Sequence, residues 1–304
     1  MQIVKLIHNP TAGDEEHTKE DLLKQIEKVG FECRYSSTKD ESWKDIETDV
    51  DIIAIAGGDG TVRKVLKQLM KKKGKEVKPP IAVLPLGTAN NIAKTFNLDR
   101  PTAEVIVSWK HPQIKKVDIG LIKNIPDVKF FFEGVGFGVF PYLMKEMKNA
   151  GEKYSSPQEE LKGALKKLHS ILASYKARQC NLTVDGTDHS GKFFMVEVMN
   201  IRSIGPNMML APGADPGDGE FEIVLVPEAH KEKFSEFVLQ DLIGGEDTYH
   251  FHTLKGKEIS IQWDGVRVHA DDQMLKLPKE APINIVLKPG VFEFIVMDDE
   301  PANR

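Results

Sequence analysis

Cysteine is scarce in this sequence: Cys33 and Cys180 are the only two in 304 residues. A disulfide scaffold is thereby excluded, and a reducing compartment fits. Long apolar runs are missing as well, since no uninterrupted stretch approaches the ~18 residues a spanning helix requires. The opening MQIVKLIHNP reads as a strand entering a turn, without the apolar stretch and small-residue cleavage site of a signal peptide. Nor is there an excess of positive charge. With 41 basic and 46 acidic side chains the formal net charge is −5, a poor match to a nucleic-acid binder. No internal repeat is found. These absences predict a soluble, cytoplasmic protein. The 40% hydrophobic and 29% charged fractions are those of a chain that folds. The length suggests about two domains.

Residues 1–115 alternate strand and helix signals. Gln2–His8 is a β-branched run ending at Asn9-Pro10. Leu22, Leu23, Ile26 and Val29 have helical spacing, and Gly30 follows where a C-cap glycine belongs. Phe31–Ser36 reads as a strand. Val50–Ala56 is a continuous apolar run closed by glycines, which suggests a strand buried on both faces. Val62, Val65, Leu66, Leu69 and Met70 return to helical spacing, Ile81–Leu86 to a buried strand, and Ile92, Ala93 and Phe96 open another helix. Such alternation predicts an α/β domain with an open, mostly parallel sheet. Over 116–304 most segments read as short strands, among them Lys129–Phe137, Lys192–Met199 and Val266–Ala270, with turn signals such as Asp264-Gly265 between them. An all-β sandwich is expected there, with the last residues packing back on the first domain. One clear helix interrupts it: Ser156 caps, Pro157 and Glu159 fill the first turn, and Leu161, Ala164, Leu165, Leu168 and Ile171 form a stripe.

Three polar loops follow strands of the first domain. Gly57-Gly58-Asp59-Gly60-Thr61 separates a buried strand from an amphipathic helix starting at about Thr61 or Val62. Glycines let a bulky anion approach the backbone amides, and the helix dipole points its positive end at the loop. A carboxylate at Asp59 would repel a phosphate unless a divalent cation sits between them, as in a metal–nucleotide complex. The alternative is a glycine-rich βα turn with a helix-capping Asp. Gly87-Thr88-Ala89-Asn90-Asn91 and Asn9-Pro10-Thr11-Ala12-Gly13 are the other two loops. Their small hydroxyl and amide side chains donate to phosphate or ribose oxygens without adding charge. Alone each is a common turn. Together they fall where an open α/β sheet binds ligands.

In order and spacing, Asn9–Gly13, Gly57–Thr61 and Pro85–Asn90 resemble the diacylglycerol kinase catalytic domain. In particular they resemble the bacterial soluble lipid kinases, whose relatives include the sphingosine and ceramide kinases. GGDGT is shared with NAD kinases and phosphofructokinases, so that loop alone is not diagnostic. Leu210-Ala211-Pro212-Gly213-Ala214 with Asp218-Gly219 is similar to the family's LAPxA…DG segment and sharpens the assignment. The resemblance implies an N-terminal nucleotide-binding domain, a C-terminal β-sandwich and an active site in the cleft between them. It implies ATP contacts from Asn9, Pro10, Thr11, Ala12, Gly13, Thr38, Gly57, Gly58, Asp59, Gly60, Thr61, Gly87, Thr88 and Asn90. It also implies a structural divalent metal held by the Asp218 carboxylate and mostly by backbone carbonyls of Asp215 and Glu220, although residue types alone fit a metal-free turn equally well.

The family's Asp-Gly-Glu, which carries the base for the acceptor hydroxyl, matches Asp271-Asp272-Gln273 here. Gln273 has no ionisable acceptor, so Asp271 or Asp272 would have to serve. An ordinary Asp-rich turn is the alternative. Two further departures are Arg63-Lys64 in place of a polar and an acidic residue, and Asn91 in place of an aspartate. The resulting expectation is an ATP- and Mg²⁺-dependent lipid kinase that meets a hydroxyl-bearing lipid, such as diacylglycerol or a sphingoid lipid, transiently at the membrane surface. Phe137, Phe140, Tyr142, Leu143 and the Leu161–Ile171 stripe are candidates for receiving acyl chains, with a plain packing role the commoner alternative for any one of them. A homodimer is left open. The alternatives are a nucleotide-binding relative without phosphotransfer, or a kinase of a soluble substrate such as NAD.

Overall fold

The computed structural model describes residues 1–12, 17–71, 79–151, 154–245, 250–277 and 281–298. The chain divides into two compact units, one formed by Met1–Val117 with the described residues from Gly290 on, the other by Asp118–Pro289.

The first unit runs β1 (Ile3–His8), α1 (Lys19–Val29), β2 (Glu32–Ser37), β3 (Ile52–Gly57), α2 (Asp59–Lys71), β4 (Ile81–Pro85), α3 (Asn91–Thr95), α4 (Thr102–Ser108) and the start of β5 (Gln113–Lys123). Its strands lie in the order β2–β1–β3–β4, all parallel. β3 is buried along its whole length, as its unbroken apolar run demands. Thr18 caps α1 by accepting the Asp21 amide at 3.1 Å, and Gly30 ends it with φ 102°, a left-handed conformation that glycine adopts freely. α2 begins at Asp59, two residues before the sequence signal, because the Gly58 carbonyl already accepts from Thr61 and Val62.

The second unit contains β6 (Phe130–Phe131), β7 (Gly134–Gly138), α5 (Val139–Ala150), α6 (Pro157–Ser174), β8 (Arg178–Val184), β9 (Thr187–Asp188), β10 (Gly191–Met199), β11 (Ser203–Ile204), β12 (Met208–Met209), β13 (Phe221–Pro227), α7 (Lys231–Ile243), β14 (His252–Gly256), β15 (Glu258–Trp263), β16 (Arg267–Ala270), β17 (Gln273–Lys276) and the start of β18 (Ile283–Val296). Its pairings are antiparallel: β7 lies between β10 and β16, β16 turns into β17, and β10 also pairs with β13 and β8. Two apolar clusters form. One gathers Phe131, Phe137, Leu182, Val196, Val198 and Val268. The other joins the three helices to Phe194, Met195, Met199 and Val224.

Three corrections to the sequence reading follow. α5 and α7 were expected as part of a strand-rich run, yet Phe234, Phe237 and Val238 keep helical spacing and are buried, and Pro141 is tolerated in the first turn of α5. Lys129–Phe137 is broken at Phe132 and Glu133, whose amides turn to a side chain described below. Phe137, Phe140, Leu143, Leu165 and Leu168 are buried core residues, so they present no apolar surface to a lipid. No helix among the described residues is long and apolar enough to cross a membrane.

The end of β18 completes the first unit. Phe294 pairs with Ile81 in parallel register and stacks its fully buried ring 4.8 Å from that of Phe96. Met297 donates to the Phe96 carbonyl, and Asn97 donates to the Met297 carbonyl. Phe294→Ala is expected to lower the unfolding free energy by about 3–5 kcal/mol, because the cavity lies under a central sheet. Chemical denaturation checks this, and a loss below 1 kcal/mol (roughly an exposed-site change) would contradict the packing described.

Candidate functional site

The three polar loops meet at the carboxyl ends of β1, β3 and β4. Asn9 continues from β1 and donates its backbone N–H to the Ala56 carbonyl at 2.9 Å. Its side-chain N–H bonds the Thr61 hydroxyl at 3.1 Å, and its Oδ1 accepts from the Thr11 hydroxyl at 2.8 Å and the Thr38 hydroxyl at 3.4 Å. One amide therefore joins the loop after β1 to the start of α2 and to the end of β2. Ala12 closes a turn onto the Asn9 carbonyl. Gly13 lies outside the described residues.

The loops after β3 and β4 touch backbone to backbone. A Cβ on Gly87 would stand 2.4 Å from the Gly58 Cα and 2.8 Å from the Asn90 Oδ1. Asn90, at φ 52°, accepts the Gly87 amide at 2.9 Å and donates to the Gly87 carbonyl at 2.8 Å, which folds that loop on itself. Leu86 donates to the Gly57 carbonyl. Gly57 has its own restriction, since a Cβ there would lie 2.6 Å from the Thr61 hydroxyl.

Asp59 does not stand open as the sequence suggested. Its two oxygens accept the amides of Asn91 at 2.9 Å and Ile92 at 3.0 Å, so it caps α3 from across the loop. The capping alternative was correct in kind, but the helix it caps is the next one along. Lys64 donates to the Thr38 carbonyl at 3.3 Å and lies over the Trp43 ring. Arg63 and Asn91 are buried. What remains at the loop ends is a surface of glycine backbone, threonine hydroxyls and the positive end of α2, suited to an oxygen-rich anion.

In the second unit the Asp271 carboxylate accepts the amides of Phe132 at 3.0 Å, Glu133 at 2.8 Å and Gly134 at 3.3 Å. It is buried, at φ 50° in the two-residue connection from β16 to β17. Three backbone amides converge on its Oδ1, and Phe132 also reaches Oδ2 at 3.2 Å, so Asp271 braces the chain break at Phe132 and Glu133. Asn200 completes that brace by donating to the Phe132 carbonyl at 2.8 Å. Asp272 is exposed at the tip of the connection, and its φ is not positive, which explains why an aspartate is tolerated where the family has glycine.

The side chains of the residues implied for a structural metal are engaged within the protein. Asp215 Oδ1 accepts the Gly217 amide, and Asp218 Oδ1 accepts the Glu220 amide. Asp218 Oδ2 faces the Lys255 ammonium at 3.4 Å, which Glu222 also holds at 3.3 Å. The hydrogen bond Lys255 donates to Glu222, and then that to Asp218, raise the Lys255 pKa. An ammonium among the donors repels a divalent ion. Among the described residues no three His, Cys, Asp or Glu side chains converge on a metal position.

Sequence reasoning missed the buried pair Glu197 and His269, 2.9 Å apart. The signal was a lone acid in the apolar run FFMVEVM and a lone imidazole in VHA.

Residues 4–122 match the family described as diacylglycerol kinase catalytic domain, and residues 146–296 the one described as YegS C-terminal NAD kinase beta sandwich-like domain. A protein named diacylglycerol kinase from Staphylococcus saprophyticus is 25% identical over 268 residues, covering 84% of each chain. Another of that name from Bacillus subtilis is 25% identical over 256 residues, covering 80% of each. Among solved structures, a diacylglycerol kinase from Bacillus anthracis superposes with TM-score 0.70 at 22% identity over 97% of both chains, a likeness of fold.

The Gly58–Gly87 contact yields a direct test. Gly87→Ala pushes a methyl group into backbone and is expected to cost about 1–3 kcal/mol of stability. Thermal and urea unfolding measure it; an unchanged midpoint would show that the two loops do not touch.

Proposed function

The chain belongs to the diacylglycerol kinase catalytic domain family and is a kinase with an alcohol acceptor, and from that premise we propose that it transfers the γ-phosphate of ATP to the hydroxyl of a lipid, diacylglycerol or a sphingoid-type lipid, met at a membrane surface. The observation that carries this reading is the bracing of three strand-end loops by Asn9, Asp59 and Asn90. Bracing of this kind holds donors still before the ligand arrives, which is what electrostatic stabilisation of a transferring phosphoryl group needs.

In this reading Thr11, Thr38, Gly58, Gly60, Thr61 and Thr88 contact the nucleotide phosphates and sugar. Magnesium arrives on the nucleotide as part of the substrate, because Asp59 is engaged by amides. Asp272 accepts the proton of the attacking hydroxyl, and Asp271 positions the connection that presents it. The lipid is named by the relatives' names and the LAPxA…DG segment. Radiolabelled ATP with mixed lipid micelles and Mg²⁺ tests it; folded protein that labels no lipid across a broad panel would refute it.

A second reading, a nucleotide-binding relative without turnover, draws on Gln273 and on the engagement of the Asp271 carboxylate. The two aspartates separate the readings. Asp272→Asn is expected to lower kcat by about 10²–10⁴-fold while leaving the unfolding temperature unchanged. Asp271→Ala is expected to cost about 1–3 kcal/mol of stability, because buried amides lose their acceptor. If neither substitution alters a measurable turnover, the base assignment fails.

A further inference from the structure

Glu197, Gly136 and His269 lie side by side on β10, β7 and β16, each directly opposite the next in register. Their sequence neighbours Val196, Val198, Val268 and Ala270 belong to one apolar cluster. Strand alternation therefore sends Glu197 and His269 to the other face, where the Phe140 ring of α5 meets the imidazole edge-on at 6.4 Å. The two side chains reach each other across Gly136. A Cβ on that glycine would fall 1.8–2.0 Å from the Glu197 carboxylate, so no other residue leaves room for the contact.

Both groups are almost completely buried, and a lone charge in such a place costs several kcal/mol. They meet this cost as a pair. The His269 Nδ1 lies 3.1 Å from the Asp271 carbonyl oxygen, which can only accept, so Nδ1 carries a hydrogen. The other proton is held between Nε2 and the Glu197 carboxyl, 2.9 Å apart. Burial raises the Glu197 pKa. For His269 burial acts downward, and the facing Glu197 more than reverses it. Nothing in the donor site of the first unit uses this pair.

We propose that Glu197 and His269 are positioning residues for the acceptor side of the reaction: they hold the Asp271 carbonyl, and with it the β16–β17 connection that presents Asp272. This rests on the kinase reading above. Among the contacts of the connection, three tie Asp271 to its surroundings. His269 holds the Asp271 carbonyl, Gly134 accepts the Asp271 amide at 2.8 Å, and the amides of Phe132, Glu133 and Gly134 hold its carboxylate. The last two run to the same short segment, whereas the first runs through the imidazole to β10. Without it the tip of the connection can tilt while the brace survives.

Three variants test this. Glu197→Gln keeps an amide able to donate to Nε2 and is expected to retain near-wild-type kcat. His269→Phe keeps a ring against Phe140 but loses the bond to Asp271. It is expected to lower kcat by about 10- to 100-fold, with the KM for ATP unchanged. In an Asp272→Asn background the same change should have no further effect on kcat, because it acts through Asp272. A purely structural role would lower activity equally in both backgrounds, and that outcome overturns the proposal, as does a His269→Phe enzyme of unchanged kcat. Should His269→Phe fail to fold, Glu197→Leu combined with His269→Phe removes the stranded carboxylate as well. Hydrogen exchange of the peptide spanning Ala270–Gln273 reads the positioning without turnover. Faster exchange there in the His269 variant is expected, and unaltered exchange refutes it. Wild-type protein that phosphorylates no lipid but shows this exchange difference would defeat the kinase reading and leave the positioning claim standing.

Discussion

Gly58 and Gly87 touch through their backbones, and the organisation of the first unit's loop end depends on that contact. Two strand-end loops can approach so closely only where neither carries a Cβ at the crossing point. Once they do, the Asp59 carboxylate comes within reach of the α3 amides, and Leu86 reaches the Gly57 carbonyl. The glycines thus serve two ends. They leave room for an anion at the amides, and they let the Asp59 carboxylate and the Asn9 amide stitch the loops together while Asn90 folds its own loop. Without the stitching, three polar loops would be three independent coils, and ordering them around any ligand would consume binding free energy.

The second unit solves a related problem by different means. It carries an unusual set of buried polar groups: Asp118, Glu133, Glu197, Asn200, His269 and Asp271. Asp118, Glu197, His269 and Asp271 each meet a specific donor or acceptor, and Asn200 donates through its side-chain nitrogen while its buried Oδ1 is left without a partner among the described residues. Asp271 answers the amides left unpaired where the strand breaks at Phe132 and Glu133, and Asn200 answers the carbonyls beside them. A buried network of this kind contributes geometry more than stability, because a hydrophobic replacement would often do as well energetically. Its presence beside a connection that carries an exposed aspartate, Asp272, suits a demand for position.

Departures from the family pattern also become intelligible. Asp272 replaces a glycine at a position whose φ does not require one. Lys64 is tied to Thr38 and Trp43, so its charge steadies the end of β2. Lys255 sits between Asp218 and Glu222, a single-charged, three-donor group in a place where the resemblance implied a divalent ion.

Much was legible from sequence because it is local. The apolar run before Gly57, the periodicity of α2, the Ser156 cap and the glycines at strand ends declare themselves within a few residues. Period and propensity are properties of neighbours along the chain, and they fixed the strand–helix alternation and the position of the loops. α7 was equally visible in Phe234, Phe237 and Val238 and was obscured by the strand-rich context. Tertiary structure alone decided what each acid touches. Asp59 meets amides 32 and 33 residues away, Asp271 meets amides 137 to 139 away, and His269 meets a carboxylate 72 away. Such partners depend on strand register and on which glycine leaves a gap, and neither is a property of any short stretch of sequence.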